Sequence, residues 1–435
     1  MATTDTSPRA AIVTLGCPMN HVDSEHIMGG LVSQGFDIVP EEDAEVIIVN
    51  TCGFIGVARE ESIDTILSIA ELKQTGSLKA LVVAGCLAER YRTELENELT
   101  EADAVVVLSD RDRIPELCLD LLGRKKQAES LYSRVVSGPP NSAYLKISEG
   151  CDNRCAYCTI PAIRGPYRSV PYELILRDAE ELASTGAREL ILIGQDTTRY
   201  GADLNGETLP GLLMKLSEIR EIEWLRLMYT HPAHFTDELI DVLGGNPKVL
   251  PYIDMPVQHI SDRILRRMGR HTTPHAIRSL IDTIRERIDG VVLRTALITG
   301  FPGETDEDFD ELADFVRDVR FERLGAFVYS PEEGTPAAKM DNHVPFEIAA
   351  ERHEIIMEIQ SGISEDFHSS LIGREFDIIV DEVDPETGSA MGRTYMDAPD
   401  VDCTVSVTQG VNGDRAFCRV RITEAGAYDL VGEMV

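Results

Sequence analysis

"AYLKISEGCDNRCAYC", residues Ala143 to Cys158, sets an apolar run against three cysteines spaced four and three residues apart. The run reads as a short buried strand, and the cysteines as the loop that leaves it. In parallel α/β architectures the C-terminal strand ends gather on one rim, where loops carry the chemistry. Outward from this point the same alternation recurs. A helix around residues Glu173 to Ser184 leads to "ELILIG" (Glu189 to Gly194). Next come "WLRLMY" (Trp224 to Tyr229), "PYIDMP" (Pro251 to Pro256), "VVLRTALITG" (Val291 to Gly300) and "LGAFVYS" (Leu324 to Ser330). About six strands with helices between them predict a complete or partial β/α barrel over residues 137–368.

Upstream, "AAIVTL" (Ala10 to Leu15), "EVIIVN" (Glu45 to Asn50), "KALVVAG" (Lys79 to Gly85) and "DAVVVL" (Asp103 to Leu108) read as buried parallel strands. Helical candidates at 59–74 and 88–99 lie between them, so residues 8–125 predict an open parallel α/β sheet. The polar stretch from Gly123 to Ser142, with Gly-Pro-Pro near its end, reads as a linker. Beyond Pro345 a long helix carries Ile348, Ile355, Ile359 and Ile363 at helical spacing, which predicts one apolar stripe. From 369 to 435 short strand-like runs alternate with turns, and about five of them predict a small antiparallel β-barrel.

The 435 residues are too many for one ordinary core, and an apolar share of 43% is that of a globular protein. "MATTDTSPRAAIVTLG" has no basic segment leading into a long apolar one, and no run of about 18 apolar residues exists. The expectation is a cytoplasmic protein without a membrane span. A net charge of -34 repels phosphate backbones and attracts basic partners. No basic patch stands out against that field, so DNA is not an expected partner.

Nine cysteines, an odd count in a reducing compartment, are not a disulfide scaffold. Metal chemistry is the better reading of Cys151, Cys155 and Cys158. A structural zinc site wants four ligands, and no fourth cysteine or histidine follows within a dozen residues. Three thiolates on a four-iron cluster instead leave one iron open for a small ligand. Cys17 in "TLGCPMN", Cys52 in "NTCGFI" and Cys86 in "AGCLAER" each follow an expected strand. A lone strand-end cysteine is usually a small buried hydrophobe. Three in one structural position point to a second cluster of the same kind. Cys118 lies on an apolar helical face and reads as core, whereas Cys403 and Cys418 carry no assignment.

The C-x-x-x-C-x-aromatic-C pattern, here with Tyr157, resembles the signature of radical S-adenosylmethionine enzymes. The upstream cysteine motifs resemble the methylthiotransferase branch of that family. The likeness continues through "AYLKISEGC", "IPAIRG", "GQDTTRYG", "LPYIDMPVQH", "TGFPGETDEDF" and "DEVDPETGSAMGRTYMDAPDVD", and so spans the chain, including a C-terminal TRAM-like barrel. One departure is Met19, where the family commonly has lysine.

The resemblance implies two [4Fe-4S] clusters and S-adenosyl-L-methionine as both methyl donor and radical source. One cluster would sit on Cys151, Cys155 and Cys158, and the other on Cys17, Cys52 and Cys86. It implies that Tyr157 lies near the adenine and that Gly194, Gln195 and Asp196 stand where the methionyl amino group binds. Gly300 and Gly303 would allow close approach of a ligand. Glu304 is either a ligand contact or a first-turn acid answering the helix dipole. Arg164 and Arg168 carry charge suited to a carboxylate, of S-adenosylmethionine or of the substrate. His231 and His234 read as structural, and no general base is assigned.

The implied substrate is an aspartate of small-subunit ribosomal protein twelve, a basic protein met free or on the ribosome. The implied helpers are a sulfur donor and a low-potential electron donor such as flavodoxin or ferredoxin. Residues 369–435 hold five basic and thirteen acidic residues, which favours that protein over RNA. The transfer-RNA adenosine branch is the runner-up. A metal-stabilised binding module and an α/β electron carrier are the rivals from other classes.

Overall fold

The computed structural model describes residues 7–76, 78–125, 134–411 and 415–435. Residues 1–6 of the N-terminal stretch and 126–133 of the expected linker lie outside that description. Two compact units divide the chain. One runs from Met1 to Ser137 and includes Thr159–Pro166; the other comprises Gly138–Cys158 and Tyr167–Val435.

The first unit is built on β1 (Arg9–Thr14), β2 (Asp37–Ile38), β3 (Val46–Thr51), β4 (Ala80–Gly85) and β5 (Ala104–Val106). They form one parallel sheet in the order β2-β1-β3-β4-β5. The runs VIIVNT of β3 and ALVVAG of β4 are buried along their whole length. A strand covered on both faces needs such a continuous apolar run. Val46 and Ile48 face the helices Pro18–Ser33 and Ile114–Leu121, and Cys118 belongs to that core as expected. Ile47 and Val49 face the helix Gly56–Ala70 on the other side. The strand order reverses between β1 and β3, so a crevice opens at their C-terminal ends. The two-residue β2, exposed at both positions, has no apolar run to announce it.

In the second unit β6 (Ser142–Lys146) is followed by the small antiparallel pair β7 (Ser148–Glu149) and β8 (Arg168–Ser169). Then come β9 (Glu189–Ile193), β10 (Trp224–Leu227), β11 (Val249–Asp254), β12 (Val292–Thr299) and β13 (Arg323–Val328). Six strands form a parallel sheet in the order β13-β12-β11-β10-β9-β6. Because β13 and β6 are its two edges, the partial form of the expected barrel is the one adopted. The helix Phe346–Ser369 packs on β13 and on the helix Asp306–Val319. Its buried face differs from the expected stripe. Ala349, Arg352, Ile356, Gln360 and Ile363 are buried, while Ile348 is exposed. Polar residues such as Arg352 and Gln360 share the inner face because each has a partner there. Arg352 reaches Glu304, and Gln360 donates to the Phe321 carbonyl.

The C-terminal strands β14 (Glu375–Val383), β15 (Ala390–Arg393), β16 (Val405–Val407), β17 (Phe417–Ala425) and β18 (Leu430–Met434) close into the expected barrel, antiparallel except where β16 pairs with β18 in parallel. The segment 393–402 leaves β15 and meets a side chain from every strand of the parallel sheet. Arg393 reaches Ser142 and Glu189, and the Tyr395 carbonyl accepts from Arg226. Asp397 pairs with Arg323, and Asp400 accepts from Tyr144. Asp402 accepts from Tyr252 and pairs with Arg294.

Glu189 sits fully buried between Arg226 at 2.7 Å and Arg393 at 2.9 Å. Burial alone would raise its carboxyl, but the Arg393 and Arg226 guanidiniums outweigh that and hold it at about 2. Its folded value lies below the ordinary 4.5, so the stabilisation is full above that pH and is lost as pH falls toward 2. Glu189→Gln strands two buried guanidiniums short of their shared anion. We expect a loss of about 3–5 kcal/mol at neutral pH, read as a lowered denaturant midpoint.

Candidate functional site

In the first unit the three cysteines occupy equivalent places. Cys17 follows β1 and is the N-cap of the helix Pro18–Ser33, Cys52 directly follows β3, and Cys86 follows β4. Cys17 is exposed, whereas Cys52 and Cys86 are buried. Gly16 adopts φ +93°, and a Cβ on it would stand 2.8 Å from the Cys52 Cβ and 3.0 Å from its Sγ. The first two loops therefore press together at a place only glycine can occupy.

Asn20, fully buried, ties all three loops. Its Nδ2 donates to the carbonyls of Leu15 and Thr51, both at 2.9 Å, and its Oδ1 lies 3.5 Å from the Cys86 Sγ. Arg164, from the returning segment Thr159–Pro166, completes the cluster. It donates to Asn20 Oδ1 at 2.6 Å and to Asp23 at 2.9 Å, and it stands 3.5 Å from the Cys86 Sγ. Burial pushes the Cys86 thiol up to about 12, a rise that the nearby Arg164 opposes. Burial raises Cys52 as well. Assembly of a metal cluster here must therefore displace protons, and Arg164 favours the thiolate form. Three sulfur donors suit iron–sulfur ligation.

In the second unit Cys151, Cys155 and Cys158 lie half-buried on the loop after β7. That loop is pinned by its own backbone: Ala156 N donates to the Met268 carbonyl, and its carbonyl accepts from Ala337 N, both at 2.8 Å. Tyr157 packs edge-on against Phe301 with ring centroids 6.4 Å apart. Burial holds its phenol well above the ordinary range, so it stays protonated. Arg270 stands 3.8 Å from the Cys155 Sγ and donates to the Pro256 carbonyl at 2.6 Å.

At the end of β9, Gly194 lies so close to Ser148 that a Cβ would fall 2.3 Å from its Oγ. Asp196, 1% exposed, accepts from Asn153 at 2.7 Å, Thr198 at 2.6 Å and His234 at 2.8 Å. His231 stacks on His234, and burial, helped by Arg270, lowers it to about 3, so it is neutral. The pair read as structural in the sequence is thus gathered with Asp196 at the strand-end rim. The buried atoms there without a hydrogen-bond partner among the described residues include the acceptor Gln195 Oε1 and the donor Arg270 Nε. An unmet acceptor and an unmet guanidinium donor beside three thiols fit an amino acid's ammonium and carboxylate.

Gly300, at φ +75°, abuts Ala349, and its amide donates to the Glu304 carboxylate. Glu304 is buried and also receives Arg352 at 2.7 Å, so its oxygens hold the loop after β12. Gly303 packs on Arg267. Arg168, exposed, belongs to β8. Sequence reasoning missed Asn20, Asp23, Asn153 and Arg270. Asn20 and Asn153 are each within three residues of a named cysteine, but nothing in the chain marks Asp23 or Arg270.

Three family models match: the radical SAM superfamily over residues 145–316, uncharacterized protein family UPF0004 over 9–107, and the TRAM domain over 372–435. Among curated proteins, the ribosomal protein uS12 methylthiotransferase RimO of Lachnoclostridium phytofermentans is 46% identical over 432 residues, covering 97% of this chain and 98% of that one. Its counterpart in Trichlorobacter lovleyi is 44% identical and covers 98% of each. Among solved structures, the radical S-adenosylmethionine methyltransferase TsrM of Kitasatospora setae superposes with a TM-score of 0.56 at 16% identity. It covers 76% of this chain and 77% of that one, a likeness of fold.

Proposed function

We infer the activity from one premise: the chain belongs to the RimO family of ribosomal protein uS12 methylthiotransferases. It is a radical S-adenosylmethionine enzyme that installs a methylthio group on the β-carbon of an aspartate in uS12. The observation that carries this reading is the placement of six cysteines in two sets of three on strand-end loops, one set in each unit. When bound, the two iron–sulfur clusters and S-adenosylmethionine would supply the one-electron chemistry and the methyl group that ordinary side chains lack.

The chain's own residues bind and orient. Cys151, Cys155 and Cys158 would hold the cluster that serves S-adenosylmethionine, and Cys17, Cys52 and Cys86 would hold the other. Gln195 Oε1 would accept from the methionyl ammonium, with Gly194 leaving room for it, and Arg270 Nε would donate to the carboxylate. Tyr157, backed by Phe301, gives an apolar wall for the adenine. Asp196 keeps Asn153 and His234 fixed at the rim where the substrate must enter. Supporting these roles are the unmet hydrogen bonds at Gln195 and Arg270 and the buried ties of Asp196.

Residues 8–125, 137–368 and 369–435 serve as the auxiliary-cluster, radical and TRAM-like parts. The reaction needs a reductant, which we assign to flavodoxin or ferredoxin, and a sulfur donor. No helix among the described residues is long and apolar enough to cross a membrane. We place the protein in the cytoplasm, where uS12 is made and assembled.

Intact-mass measurement of ribosomal proteins from cells lacking this chain tests the reading. uS12 should be lighter by one methylthio group and every other small-subunit protein unchanged. A change confined to transfer-RNA adenosines would overturn the substrate.

A further inference from the structure

The reading of the Cys17, Cys52 and Cys86 site leaves one buried charge beside it without a stated purpose. Arg164 belongs to the sequence that follows Cys158, yet its side chain is 1% exposed within the first unit. Burying a guanidinium is costly, and a single ion pair rarely compensates for it. Here the cation is fully orientated. Asp23, itself 2% exposed, takes Nη1 at 2.9 Å, and Asn20 Oδ1 takes Nη2 at 2.6 Å. That same Nη2 is left 3.5 Å from the Cys86 Sγ. Asn20 is in turn fixed by the Leu15 and Thr51 carbonyls, one in the Cys17 loop and one beside Cys52. The donor is therefore held in register with all three sulfur-bearing loops. Asp23 also receives Arg111 at 2.9 Å, so its negative charge is shared by two cations.

We propose that Arg164 is the positioning residue that sets the reduction potential of the auxiliary cluster, by donating a charge-assisted hydrogen bond to the Cys86 sulfur. Donors and positive charge at a ligating sulfur stabilise the reduced, more negative state of an iron–sulfur centre. Removing the cation lowers the potential, and removing the carboxylate behind it raises the potential. The site stays buried in both cases, so the two shifts differ in sign for a reason that packing alone does not supply. The inference rests on the reading that these cysteines hold a cluster.

The test uses the full chain with Cys151, Cys155 and Cys158 replaced by Ala, which isolates the auxiliary cluster. Iron content is measured, and the midpoint is read by anaerobic redox titration followed by electron paramagnetic resonance. Arg164→Met should keep about one cluster's worth of iron and titrate at a more negative potential. Arg164→Lys, which keeps the charge and loses the planar fork, should fall between it and the parent. Asp23→Asn should move the midpoint the other way.

Unmoved midpoints in Arg164→Met and Asp23→Asn would overturn the proposal. If Arg164→Met binds no iron, Asp23→Asn decides alone: a less negative midpoint supports the assignment and an unchanged one ends it. A parent that binds no iron would instead sink the cluster reading, and this inference with it.

Discussion

Replacing Cys151, Cys155 and Cys158 together by Ala should abolish 5′-deoxyadenosine formation and leave about half of the iron, one cluster's worth. The geometry says why the loss should be clean. The loop that bears these cysteines is held by backbone hydrogen bonds that Ala156 donates to Met268 and accepts from Ala337. Ala156 also belongs to a small buried cluster with Ile264, Met268 and Phe301. The variant should therefore keep its fold. Chromatography of anaerobic, dithionite-reduced reactions should show no S-adenosylmethionine consumed, at least a 1,000-fold loss on the order of what removal of a whole catalytic group gives. Cleavage at the parent's rate would refute the assignment of this triad.

The second large effect separates the two sites. Cys52→Ala should leave 5′-deoxyadenosine formation within about twofold of the parent while methylthiolated uS12 falls by more than about 100-fold. Cys52 is buried, and its sulfur is the one that Gly16 approaches, so no other side chain can take its place. A thiol-to-methyl exchange in that space costs little packing. Iron should again drop to one cluster's worth. Normal product from this variant would exclude a working role for the Cys17, Cys52 and Cys86 site.

Most of what these two experiments probe was legible in the chain. The cysteine triads were readable because their sulfurs follow apolar runs that can only be buried strands. The sheets confirm those runs in β1, β3, β4 and β6. The five C-terminal strands were legible from alternation and turns. What was hidden depends on residues brought together from far apart. Arg164 looked like a loop cation available to a ligand, yet it is spent on Asp23 and Asn20, more than 140 positions upstream. His234 reaches Asp196 across two strand ends, and no spacing rule predicts that pairing. The helix after Pro345 misled because its inner face includes Arg352 and Gln360, which hydropathy assigns to water. Polar residues that are buried for a partner are invisible until the partner is known.

The segment 393–402 has a consequence for how this protein can vary. Asp397, Asp400 and Asp402 count toward the acidity of the C-terminal barrel, but each is matched to an arginine or tyrosine on a different strand of the parallel sheet. The Asp397 and Asp402 carboxylates are not surface available to a visitor; with Arg393 they are the stopper in the bottle. A chimaera that borrowed its last seventy or so residues from a distant relative would have to import the matching side chains on six strands as well. Evolution can thus retune the outer face of that tail freely, whereas the stopper and the vessel it closes must be handed down together.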